Sequence, residues 1–200
     1  MKNERIILNV ASTPKLGEDN DKLLFETVDN TIYFYSEVDR ESILKLNKTL
    51  RELDTLIIKN KISKRSEVLD SIYLHINSYG GEVFSCFSAV DNMINTKSPI
   101  VTVVDGVAAS AATIISVTGK RRLMFKHSSM LIHQMSSGYW GTWEEQKDNM
   151  KNNERLMNMI YNHYLEYTKI PKEKLEEILK HDLWFDAKTC LEYGLIDEII

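Results

Sequence analysis

Ser110 stands in the run Gly106-Val107-Ala108-Ala109-Ser110-Ala111-Ala112, after a β-branched strand candidate and at the opening of an apolar helical stretch. Small residues there let the backbone turn sharply and let a second chain approach closely. A hydroxyl at that point lies near a helix N-terminus, where N–H groups and the dipole favour developing negative charge. The competing reading is a small residue packed between helix and sheet, or an N-cap, and for an isolated serine it carries more weight. His133 ends the apolar run Ser129-Met130-Leu131-Ile132, where an imidazole can serve as general base near neutral pH. A hydrogen-bonded structural histidine is the bland alternative. The chain has five histidines, and the other four lack comparable surroundings.

A serine hydrolase also needs an acid to orient its base and N–H donors for an oxyanion. Asn77-Ser78-Tyr79-Gly80-Gly81 ends a strand candidate, and its glycines leave their N–H groups accessible. Asp182 precedes the bulky run Leu183-Trp184-Phe185 and is a candidate acid. An ordinary turn and a surface or capping carboxylate explain these two features equally well, so chemistry alone leaves the triad open.

The elements that must position these residues follow from periodicity. Thr31 to Ser36, Ile72 to Ile76 and Ile100 to Val104 are rich in β-branched or aromatic residues and predict strands. Arg122 to Phe125 and Met130 to Ile132 add short ones. Helical spacing predicts helices over Asp39 to Leu53, Glu82 to Asn95 and Glu144 to Lys169. A further helix opens at Pro171, and a last one from Ala187 to Tyr193 stops at Gly194. Ser63 to Asp70 reads as a charged surface loop, with Lys59 and Lys61 just before it. Strands alternating with helices predict an α/β fold with a largely parallel sheet. Without repeats or linker tracts, residues 1–200 form one domain, and 1–22 are polar enough to form a mobile arm.

Bulk composition narrows the function classes. Hydrophobic residues make up 43% and charged residues 27% of the 200, which is ordinary for a soluble globular chain. A net charge of -4 gives a nucleic-acid role no electrostatic support. Cys86 and Cys190 are far apart and read as two buried free thiols. The apolar stretch from Pro99 to Gly119 is interrupted by Asp105, leaving less than the roughly 20 residues a spanning helix needs. The opening Met1 to Leu8 does not fit a signal peptide, and a cytoplasmic location is expected. The histidines lack H-x-x-x-H spacing and no phosphate-binding G-x-x-x-x-G-K-[ST] is present, so neither a metal nor ATP is expected on this chain.

Taken in order, INSYGG, GVAASAA, MLIHQ, HDLWFDA and EYGLID closely resemble the proteolytic subunit of the Clp protease, from about Thr31 to the C-terminus. Each motif is modest, but their order and spacing are specific. The resemblance implies a crotonase-like fold of repeated ββα units, with a long handle helix over 142–169, in a ring-forming oligomer. It implies Ser110 as nucleophile, His133 as base, Asp182 as orienting acid, and the backbone N–H groups of Gly81 and Ala111 as oxyanion hole. The implied activity is serine endopeptidase action on unfolded polypeptides inside a chamber of stacked homo-oligomeric rings, fed by a separate AAA+ unfoldase that uses the ATP. A maturation protease with the same triad and no unfoldase, as in capsid assembly, and a silent ring subunit are alternatives. An acyl-CoA enzyme of the crotonase fold would need acids facing its substrate, and only Glu82 is available beside Gly81.

The chain departs from the family pattern in places. Tyr79 stands where proline is usual, and His181 replaces an arginine before the acid. Gln134 to Gly141 is bulkier and poorer in glycine, Lys59 to Asp70 looks like an insertion, and the N-terminal arm differs.

Overall fold

The computed structural model describes residues 24–65 and 68–200. The expected mobile arm therefore lies outside the described residues. Strands β1 (Phe25–Val28), β2 (Thr31–Phe34), β3 (Ile72–Ser78), β4 (Ile100–Ala109), β5 (Arg121–Met124) and β8 (Glu198–Ile199) lie side by side in that order. Strand β6 (Ser129–Leu131) branches from β4, and β7 (Trp184–Phe185) pairs with β6. The connections β2–β3, β3–β4, β4–β5, β4–β6 and β5–β8 are parallel, as the alternation of strands and helices predicts. The antiparallel pairs β1–β2 and β6–β7 sit at the margins.

Strand β3 shows how one face of the sheet becomes the core. Ile72, Leu74, Ile76 and Ser78 are buried while Tyr73 is exposed, the period-2 signature of a pleated strand. Helices α1 (Arg40–Lys64), α2 (Val83–Asn95), α3 (Ala111–Val117) and α4 (Trp143–Tyr167) contribute to that core, with α5 (Lys172–Ile178) and α6 (Ala187–Glu192). Helix α1 starts at a reciprocal cap: Asp39 Oδ1 accepts the Ser42 N–H at 2.8 Å, and Ser42 Oγ accepts the Asp39 N–H at 3.1 Å. Helix α4 starts in the same manner, with Glu145 accepting the Thr142 N–H at 2.7 Å.

Two elements run further than their sequences suggest. Helix α1 does not stop at Leu53 but continues to Lys64, so Lys59, Lys61 and the first two residues of the expected loop are helical. The reason is the apolar stripe Ile43, Leu46, Leu50, Leu53 and Ile57, which stays buried at spacings of three and four, while the charges lie on the solvated side. Strand β4 does not end at Val104 but carries on through Gly106 to Ala109. A register shift against β3 between Ile76 and Ser78 absorbs the extra length, and Gly106 takes φ +92°. Ser110 is thereby delivered at a strand end, not several residues into a loop.

The extension of α1 is testable by paired truncation. Ile57→Ala should lower stability by about 2–4 kcal/mol, because it empties a buried site. Leu56→Ala, on the exposed side at 52% accessibility, should stay within about 0.5 kcal/mol. Urea denaturation of both variants checks this, and equal effects would contradict the helix.

Candidate active site

Ser110 sits between β4 and α3 with φ +57° and ψ −125°, a region that side-chain-bearing residues rarely occupy. Its N–H donates to Leu131 O at 2.8 Å, extending the β4–β6 pairing by one step. Its hydroxyl is buried without a hydrogen-bond partner. The loop after β3 closes over it: a Cβ built on Gly80 would lie 2.7 Å from both Ala109 O and Ser110 Cβ, and 2.9 Å from Ala111 N. Only glycine fits there, and its φ of +99° demands glycine as well.

The β6–β7 pairing brings base and acid together. Leu131 lies opposite Trp184 in an antiparallel register. Two residues further along the same register, His133 meets Asp182, and their Nδ1 and Oδ1 atoms are 2.9 Å apart. The carboxylate fixes the proton on Nδ1 and leaves Nε2 bare as an acceptor. That Nε2 is buried without a partner, like the Ser110 hydroxyl. His133 is held from behind by the adjacent main chain, where the Gln134 N–H donates to Leu179 O at 2.8 Å. Burial lowers the His133 pKa below its usual value, and the charge and hydrogen bond of Asp182 oppose that shift without overcoming it.

Gly81 and Ala111 flank the same point. Val38 forms a short parallel bridge with Gly81: its N–H donates to Gly80 O at 2.7 Å, and its carbonyl accepts the Glu82 N–H at 2.7 Å. This pattern uses the groups on either side of the Gly81 N–H and turns that N–H out of the ladder. Ala111 is the first residue of α3, where an N–H has no intrahelical partner. Of the five sequence-predicted residues, the structure pairs His133 with Asp182, packs Gly80, the neighbour of Gly81, against Ser110 and Ala111, and bonds Ser110 to Leu131, two residues before His133.

The remaining sequence candidates are placed elsewhere or spent. Glu82 precedes α2 and accepts the Ser85 hydroxyl at 2.9 Å. His181 reaches Glu177 Oε1 at 3.1 Å on the surface of α5. Cys86 and Cys190 are buried free thiols, and burial raises both pKa values, that of Cys190 to about 12. Among the described residues no three His, Cys, Asp or Glu side chains gather to hold a metal, and no helix is long and apolar enough to cross a membrane. Sequence reasoning missed Val38, whose role is carried by main-chain atoms and has no side-chain signal. It named Tyr79 and Trp184 but not their contact: they meet edge to face with centroids 6.5 Å apart and tie the glycine loop to β7.

The family model for Clp protease matches residues 26–200. The chain belongs to the Clp protease family. It is 31% identical over 185 residues to the ATP-dependent Clp protease proteolytic subunit of Streptococcus mutans, covering 83% of this chain and 88% of that one. It is 29% identical over 187 residues to proteolytic subunit 2 of Treponema denticola, covering 92% and 94%. The subunit from Deinococcus radiodurans is 30% identical over 149 residues, covering 70% and 73%. The fold, with mixed α/β content, is that of a Clp protease family member.

The glycine loop gives a direct test. Gly80→Ala forces a methyl group against the Ser110 Cβ and strains a backbone at φ +99°. It should lower the reactivity of Ser110 by about 10²-fold or more, the scale of losing an oxyanion donor. The rate of labelling by a serine-directed phosphonate, compared with wild type at matched far-ultraviolet circular dichroism, measures this.

Proposed function

We propose that this chain is a serine endopeptidase that cleaves unfolded polypeptides. The observation that carries the reading is the Asp182–His133 contact at 2.9 Å, which leaves a bare, buried Nε2 on the segment whose Leu131 carbonyl holds the strained Ser110. In the proposed cycle Ser110 Oγ attacks the scissile carbonyl while His133 Nε2 takes its proton. The oxyanion is held by the N–H groups of Gly81 and Ala111, and Asp182 stabilises the imidazolium. His133 then passes the proton to the leaving amine, and water releases the acyl group from Ser110 by the same steps in reverse.

The relatives' names support a further step, since each is called a proteolytic subunit of an ATP-dependent protease. The chain acts in this reading as one subunit of stacked homo-oligomeric rings in the cytoplasm. A separate AAA+ unfoldase supplies substrate and uses the ATP. Helix α4 is the proposed handle between rings. Its buried residues Leu156, Ile160, His163 and Tyr164 face the core, while Trp143, Met150 and Met159 are left exposed. Exposed tryptophan and methionine suit a contact with a second copy.

One observation favours a second reading, a silent subunit or one aligned only by a partner. The Ser110 hydroxyl and His133 Nε2 are each without a hydrogen-bond partner, so the bond between them is not formed in the isolated chain. Covalent labelling separates the readings. A phosphonate probe should modify Ser110 in the wild type and leave Ser110→Ala unmodified, read by peptide mass spectrometry. Absence of labelling in both the free and ring-assembled protein would favour the silent subunit.

The pH dependence follows from His133. A protonated imidazole cannot accept the serine proton, so activity falls as pH drops through its pKa. Burial lowers that pKa, so the acidic limb of kcat/KM should lie below the unperturbed value of about 6.5. Asp182→Asn removes the influence that raises it. The limb should then move further toward acid, while the rate falls by up to about 10⁴-fold. A pH–rate profile of both proteins reads the two effects together.

A further inference from the structure

The Ser110 carbonyl and the Ala111 N–H belong to one peptide plane and point in opposite directions. Whatever holds the carbonyl therefore aims the N–H. Two donors hold it, the Thr113 N–H at 3.0 Å and the Thr113 hydroxyl at 2.6 Å. The single hydroxyl proton is used on that carbonyl, so the 2.5 Å contact between Thr113 Oγ1 and the Tyr164 hydroxyl is a bond donated by the tyrosine. Thr113 and Tyr164 are both fully buried, so no water competes for these groups. Burial also raises the Tyr164 pKa, which keeps its proton in place. On the next peptide, the Ala111 carbonyl accepts from Cys86 Sγ at 3.1 Å.

We propose that Thr113 and Tyr164 are positioning residues: a buried hydrogen-bond relay from α4 through Thr113 to the Ser110 carbonyl sets the direction of the Ala111 N–H toward the developing oxyanion. The inference rests on the serine peptidase reading and adds two residues that touch neither substrate nor reacting atoms. A tyrosine that merely finds a buried partner would affect stability alone. A relay that aims an oxyanion donor affects the transition state.

The test uses the full-length, assembled protein and a fluorogenic peptide, with the phosphonate labelling rate of Ser110 as a second readout. Tyr164→Phe removes only the hydroxyl, and Thr113→Val removes the relay's middle group at nearly constant volume. Each should lower kcat by about 10- to 100-fold with KM unchanged, the mark of an interaction made in the transition state. The double variant should be no slower than the slower single variant, because both break one relay. Thr113→Ser keeps the hydroxyl and should restore most of the rate. If Tyr164→Phe fails to fold, the Thr113→Val and Thr113→Ser pair decides by itself. Labelled wild type with unchanged kcat in Thr113→Val would overturn the relay and leave the peptidase reading standing. Wild type that is never labelled at Ser110 would overturn the peptidase reading, and the relay with it.

Discussion

Ser110 is held at φ +57°, and the surrounding structure is arranged to keep it there. A residue in such a conformation costs about 1–3 kcal/mol and persists only where its neighbours over-determine it. Here the constraint comes from both ends of the residue. The N–H is bonded to Leu131 O, the carbonyl accepts twice from Thr113, and Gly80 packs against the Cβ. Three hydrogen bonds at about 1 kcal/mol each offset strain of that size. The elbow is therefore stable because β6, α3 and the loop after β3 all meet it, and loss of any one weakens the hold on that conformation.

The electrostatics of the site follow from the same packing. His133 is 4% exposed, so its charged form is disfavoured, and a neutral imidazole is what proton acceptance requires. Asp182 is kept partly in solvent, with its side chain 39% exposed. From there its Oδ1 meets the imidazole Nδ1 and fixes the ring proton on that nitrogen. One short antiparallel pair, β6 with β7, delivers both residues at a fixed register. Burial of one partner and partial exposure of the other are thus two consequences of where a single ladder ends.

The sequence named the candidate residues through the resemblance, because each motif taken alone left a structural alternative open, and it did not show how they align. INSYGG and GVAASAA identify themselves by small residues in an apolar setting, because only glycine or alanine fits where two chains touch. The helices starting at Asp39 and Thr142 carry side-chain caps that are visible as residue types. The end of α1 was missed because its last turns carry a polar, charged composition that resembles a loop, and only Ile57 continues the buried stripe. The length of β4 was missed because Gly106 looks like a terminator, whereas here it absorbs a register shift within the strand. Val38 left no trace at all, since main-chain hydrogen bonds do not depend on side-chain identity.

Helix α3 explains why alignment is the harder quantity. At seven residues it is too short to be stable by itself, so its orientation is imposed by what it packs against. Helix α4 grips it at both ends: Tyr164 reaches Thr113 in the first turn, and His163 Nε2 lies 3.1 Å from both Ile114 O and Thr118 Oγ1 toward the last. His163 is itself sandwiched, stacked on Tyr167 at 4.4 Å and edge to face with Phe87 at 6.0 Å. The direction of the α3 N-terminal N–H groups is therefore a property of α4 more than of the serine motif. Met150 and Met159 of α4 are exposed, so a contact made by this helix also bears on the helix that packs against α3. A motif can name candidate residues, but the helix that packs against Ser110's neighbour α3 begins more than thirty residues downstream of it.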